Sequence, residues 1–316
     1  MRYNASMSTP GDPSIRARPA APHSGPLPLI IGLIADLFFS VKVESVARRL
    51  GFRLRLIERA EQVAPGNDDD PMRPSEPLEG PAAAFVHLLV EEQPALIVVD
   101  LNNHSVPWER WIATVKSSAA TRRIPVIAFG SHMDVETQTK ARQAGADAVL
   151  ARSRFVEALP ELIDKHARLP DRAAIALACQ GELSALARRG IELFNAGEYF
   201  EAHEELEHAW NDEEGQAREL YRAILQVAVA YLQITRQNYR GAAKMFLRLR
   251  QWMDPLPDIC RGVHVGVLRR QAQAAREALL NLGEERIAEF DRSLLRPVEW
   301  EGAPNDGGPA EPRPAG

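Results

Sequence analysis

Residues 95–100 read Ala95-Leu96-Ile97-Val98-Val99-Asp100, a short apolar run closed by a carboxylate. A run of this length with no polar alternation predicts a strand covered on both faces. Similar runs occur at Leu29–Ala35, Phe52–Ile57, Ile124–Phe129 and Ala148–Leu150. Between and after them the apolar spacing is helical, predicting helices over 41–50, 82–92, 108–119, 135–144 and 155–166, the fourth ended by Gly145. Five strands each followed by a helix imply a parallel sheet with helices on both sides. In such open sheets a site forms at the carboxyl ends of the strands, where Asp36 and Asp100 both fall.

The alternation stops at Leu169-Pro170-Asp171, the expected domain joint. Everything after it reads as helix, near 173–196, 198–211, 216–236, 239–252 and 263–282, with a short one after Glu284. Gly197, Gly215, Pro255, Pro257 and Gly283 punctuate the series. The segment 217–234 is apolar around most of its circumference, so it should be the central, most buried helix. Gly197-Glu-Tyr199-x-x-Ala202-x-x-x-Leu206 is echoed 40 residues later by Gln237-Asn-Tyr239-x-x-Ala242-x-x-x-Phe246. Such starts occur in tetratricopeptide-like hairpins and support antiparallel helix pairs. The expected organisation is a disordered tail at 1–27, an α/β domain at 28–168 with a flexible loop at 65–81, a helical bundle at 171–297 and a second tail at 298–316.

Composition restricts the function classes. The chain has 316 residues, 45% hydrophobic and 26% charged, enough for two ordinary soluble domains. A net charge of -5 does not point to nucleic acid. Arg236, Arg240, Lys244 and Arg248 do recur every four residues on the fourth helix of the bundle, but the second carries Glu201, Glu205, Asp212 and Glu213 to balance them. The five tryptophans show no sequence clustering with basic residues, so no stacking platform is expected. No signal-like or membrane-spanning run occurs, and Cys179 and Cys260 form no CxxC spacing. The expected setting is cytoplasmic and reducing, without a disulfide framework or membrane partner.

The βα alternation, Asp100 at the end of its strand, Ile124-Pro125-Val126-Ile127 and the Ala144-Gly145-Ala146-Asp147 turn together resemble the response-regulator receiver family, over about residues 28–167. That resemblance implies a flavodoxin-like five-stranded sheet and a phosphoacceptor at Asp100, assisted by Asp36, Ser131 and Arg152, with Mg as cofactor if Asp100 is phosphorylated. The match is eroded. The acidic pair after the first strand is reduced to Ala35-Asp36, the Ser/Thr position is Gly130-Ser131, and Arg152 and Ser153 replace the usual lysine and proline. Fewer acids mean weaker metal binding, and arginine does not reproduce the point charge of lysine. The expectation is a domain that docks proteins without phosphorylation.

The second half holds the motif Phe194-Asn195-x-Gly197-x-Tyr199-x-Glu201-Ala202-His203-Glu204-x-Leu206-Glu207-x-x-Trp210. On a helix, His203 and Glu207 share a face with Tyr199 one turn below, beside the apolar stripe. The pair could supply two ligands to a divalent metal, with Glu204 as general base toward metal-bound water. Gln226, Arg222 and Trp210 would complete the pocket or its surroundings. A zincin helix is excluded because Glu207 stands where the second histidine belongs. A di-iron bundle would need a second Glu-x-x-His. The alternative is a buried polar network of His203, Glu207 and Gln226 that sets helix register. The motif, with Leu225-Gln226-x-Ala228 and Asn238-x-x-Gly241-Ala242, is similar to domain of unknown function 309, whose members have at times been labelled metal-dependent hydrolases. The whole reads as a bacterial regulatory or scaffold protein with a protein partner or self-association. Two rivals are a hydrolase centred on His203, Glu204 and Glu207, and a phosphorylatable response regulator.

Overall fold

The computed structural model describes residues 26–65 and 80–301. Most of the two expected tails and of the expected 65–81 loop lies outside these residues. The first half forms β1 (Leu29–Leu33), α1 (Leu37–Arg49), β2 (Arg53–Leu56), α2 (Gly80–Glu92), β3 (Leu96–Asp100), α3 (Trp108–Ser117), β4 (Val126–Gly130), α4 (Val135–Gln143), β5 (Ala148–Ala151) and α5 (Arg152–His166). The strands pair in parallel throughout, in the order β2-β1-β3-β4-β5. This is the doubly wound, flavodoxin-like order, with its switch point between β1 and β3.

Side-chain alternation along the buried strands feeds two cores. Ile31, Leu33, Ile97 and Val99 face α2 and α3, where Phe85 stacks on Trp111 at 4.2 Å. Ile30, Val98, Ile127 and Phe129 face α1 and α5. The middle strands β1, β3 and β4 are buried along their whole length, as the unbroken apolar runs require.

The second half forms α6 (Arg172–Ala178), α7 (Ala185–Asn195), α8 (Tyr199–Asp212), α9 (Arg218–Thr235), α10 (Tyr239–Met253) and α11 (Val265–Leu282), then two short 3-10 turns. The helix α9 is the central one, with Tyr221, Ile224, Val227, Ala228 and Tyr231 fully enclosed. The 40-residue echo is real geometry. Gly197 and Gln237 both take positive φ, 84° and 56°, and the following amides close matching bonds, Glu198 N–H to Leu193 O and Asn238 N–H to Gln233 O. These are Schellman-type helix ends, each starting the next helix of a pair.

Three expectations need correction. The helix anticipated over 173–196 is broken at 179–184, because Arg261 from a distant loop satisfies the end of α6 while Ser184 caps α7. Cys179 and Cys260 are not unpaired thiols: they form a disulfide with Cα atoms 4.4 Å apart, across 81 residues of sequence. The linear spacing is uninformative, because the 254–264 loop folds back over the end of α6. The bundle also extends past 297: Val298 is buried, its backbone is bonded at both ends by the Asn195 amide, and Trp300 bridges Val263.

The halves are docked on one another. Leu247 of α10 packs with Val86 and Val90 of α2 and with Ala120. Around that contact, Glu91 accepts from Arg250 and pairs with Arg276 at 3.4 Å, and Gln251 donates to the Ala119 carbonyl at 3.0 Å. Gln93 donates to Asp254 at 3.0 Å. Burial and the nearby Arg276 hold the imidazole of His87, on α2, below the ordinary histidine range, with Glu91 opposing.

Within the bundle, α7 and α8 approach through Gly190, where an added Cβ would lie 2.7 Å from Leu206 Cγ. Gly190→Val should therefore lower unfolding free energy by about 1–3 kcal/mol through overpacking. Urea denaturation followed by circular dichroism measures it, and an unchanged midpoint would remove the close-approach account.

Candidate functional site

At the carboxyl end of the sheet, Asp100 is only 2% exposed. Its Oδ1 accepts the Asn102 N–H at 3.0 Å, and Arg152 Nη2 reaches both carboxylate oxygens at 3.3 and 3.2 Å. Arg152 opens α5, so the end of β5 throws its guanidinium back over the sheet edge. There it also lies 4.9 Å above the Phe39 ring, which leans on the Phe129–Phe155 stack. Burial raises the Asp100 carboxyl above its ordinary value. The Asn102 amide and Arg152 oppose this, and Asp36 adds to it.

Asp36 and Ser131 have structural employment. Asp36 caps α1, its Oδ1 accepting from the Phe38 and Phe39 amides at 2.9 and 3.4 Å. Ser131 Oγ accepts the Met133 amide at 3.3 Å. Arg152 and Asp36 thus act on Asp100, whereas the Ser131 hydroxyl bonds locally at the end of β4. A magnesium ion prefers several oxygen ligands in octahedral geometry. Here one acid is already covered by a guanidinium and the other caps a helix. Among the described residues no group of three or more His, Cys, Asp or Glu could hold a metal. These residues do not fit a magnesium site.

On α8, His203 is half-buried, while Glu204 and Glu207 are exposed. No hydrogen bond joins His203, Glu207 and Gln226 among the described residues, and Gln226 Oε1 is buried without a partner. Tyr199 packs edge-on against Phe194 and Tyr231 at 5.3 and 5.5 Å, and burial raises its phenol above the usual range. The tyrosine is thus part of the aromatic core beside the row.

The bundle's densest chemistry lies elsewhere. Arg218 and Arg222 of α9 both lie over Trp210 of α8, at 4.9 and 4.7 Å. Arg222 also stacks on Trp252 of α10 at 3.6 Å, and Arg123 from the first domain lies over the same ring at 4.5 Å. Guanidinium–indole stacking of this kind is favourable and stronger when partly desolvated. Tryptophans do cluster with basic residues, contrary to the sequence reading, because the partners come from three helices and a loop. The i, i+4 pair Arg218/Arg222 was visible in sequence, but nothing in the chain linked Trp252 to Arg123. A second unforeseen cluster joins Arg261 to Glu213 at 2.6 Å and to Tyr221 Oη at 2.5 Å, beside the disulfide.

Fold and edge site define the first half as a receiver-like α/β domain, joined to an all-helical bundle. Residues 187–245 match domain of unknown function 309, so the bundle carries that domain. Solved structures similar to the chain include a response regulator in red light signalling of R. palustris (18% identity, 46% of this chain and 99% of that one, TM-score 0.34). A response regulator receiver domain from Rhodospirillum rubrum is similar at 17% identity, covering 45% and 97%, with a TM-score of 0.31. The phosphorylated cyanobacterial phytochrome response regulator RcpA is similar at 13%, covering 46% and 99%, with a TM-score of 0.35. The fold assignment rests on strand order and parallel pairing. No curated protein matches the chain.

Arg152 compensates a buried carboxylate, and this can be measured. A carboxyl raised by the fold favours the folded state most when protonated, and that advantage erodes as pH rises through its folded value. Removing Arg152 raises the carboxyl further, so the penalty grows with pH. Arg152→Met should cost about 1–2 kcal/mol at pH 7, a value discounted because the arginine side chain is 35% exposed. At pH 4 the variant should approach wild type. Urea unfolding at both pH values checks it, and equal losses at each would sink the electrostatic account.

Proposed function

We propose that this is a bacterial regulatory or scaffold protein whose receiver-like domain acts without phosphorylation and whose helical bundle carries the binding output. The observation that carries the reading is the Arg152–Asp100 pair. Among the described residues Asp100 is the buried carboxylate at the sheet edge, and it is paired with a guanidinium set on an aromatic stack. Phosphoryl transfer to Asp100 would have to break that pair and recruit a metal with Asp36, one oxygen of which caps α1, as the neighbouring acid. Asp36 and Ser131 support the same reading through their backbone bonds.

The partner in this proposal is a protein or a second copy of the chain, not nucleic acid or membrane. No helix among the described residues is long and apolar enough to cross a membrane. We place the protein in the cytoplasm, a setting that does not by itself favour the Cys179–Cys260 bond.

Incubation with acetyl phosphate and magnesium tests the proposal. Intact-mass spectrometry should show no added phosphoryl group on the wild-type chain. Stoichiometric labelling that disappears in Asp100→Asn would establish the switchable response regulator instead.

A further inference from the structure

The Arg–Trp series contains more positive charge than the structure consumes. Arg123, Arg222 and Arg218 alternate with Trp252 and Trp210 across the seam between the domains. Arg122 is also within electrostatic reach of Arg222. Among the described residues none of these four arginines forms an ion pair or a hydrogen bond to a carboxylate. The one nearby acid acting on Arg222 is Glu219, and its Oε2 is itself buried without a partner. Elsewhere at the seam arginines are paired: Arg250 with Glu91 and Asp254, and Arg276 with Glu91.

Gathering like charges costs energy that indole stacking offsets only in part. Two further donors, Arg218 Nε and Trp210 Nε1, are closed off from solvent with no acceptor. Among the described residues the cluster has more donors than acceptors, with Glu219 the acid acting on it. Stacking orients each guanidinium by its plane and leaves its edge N–H groups as a fork suited to bidentate oxyanion binding. Arg122 and Arg123 are exposed, whereas Arg218 and Arg222 are half-buried, so one side of the cluster is open.

We propose that Arg123, Arg218 and Arg222, held by Trp210 and Trp252, form with Arg122 beside them a binding site for a phosphate-type oxyanion carrying two or more charges. The bound anion touches both domains and therefore strengthens their docking. The two indoles already carry guanidinium groups, so a nucleobase gains no stacking partner there. Recognition is of the phosphate groups, whether free or on a nucleotide. This inference is independent of whether Asp100 accepts phosphate.

The test titrates sodium pyrophosphate into the full chain by calorimetry at low ionic strength, with tryptophan fluorescence as a second signal. One saturable site per chain and a raised melting temperature are expected. Arg222→Met should weaken binding about tenfold or more, the loss of one charge-assisted bond pair. Arg123→Gln, at an exposed position, guards against failure of the first variant to fold and should weaken binding severalfold. Arg236→Gln, outside the cluster, should leave it unchanged. ADP should bind no more tightly than pyrophosphate, which separates phosphate recognition from base recognition. Absence of saturable heat would overturn the proposal, as would equal losses in Arg236→Gln and Arg123→Gln. Tighter binding of a single-stranded oligonucleotide than of pyrophosphate would replace it with a nucleic-acid surface.

Discussion

Leu247 is the pivot of the molecule. It belongs to the helical bundle by sequence, yet its buried neighbours Val86, Val90 and Ala120 belong to the α/β domain. Burying such a residue contributes about 1.5–3 kcal/mol, enough to hold a contact only when polar groups around it are also satisfied. They are: Glu91 receives two arginines, Gln251 reaches a backbone carbonyl, and Gln93 meets Asp254. The placement of Arg123 over Trp252 follows from the same docking. Both the relative orientation of the domains and the shared arginine cluster depend on this small apolar contact.

The sheet edge shows how a fold can keep the outline of a site while its atoms are reassigned. The carboxyl ends of parallel strands collect acids, and backbone amides there attract them. In this chain the attraction is satisfied internally. One aspartate caps a helix, another meets an arginine, and a serine closes a turn. Each group is bonded, which lowers its availability to an incoming ion.

Much of this was legible from local pattern. The strands and helices of the first half follow from apolar runs and periodicity, within a few residues at each end. The strand-end rule placed Asp36 and Asp100, and the receiver resemblance implied Arg152 beside Asp100. In the second half Gly197 and Gln237 announced paired turns, and the apolar girth of 217–234 announced the central helix. What escaped was a set of features that couple distant segments. The disulfide, the helix break at 179–184 satisfied by Arg261, and the guanidinium–indole series all join residues whose proximity is set only by tertiary packing. The motif residue Tyr199 looked like a site residue, but its partners are an aromatic core.

The brevity of the chain between the halves has a mechanical meaning. Five residues, 167–171, separate α5 from α6, a tether of roughly 17 Å at full stretch. So short a leash keeps the two halves from drifting far apart. The docked faces, α2 against α10, therefore stay close neighbours even when the contact opens, so closing it again is an event within one chain.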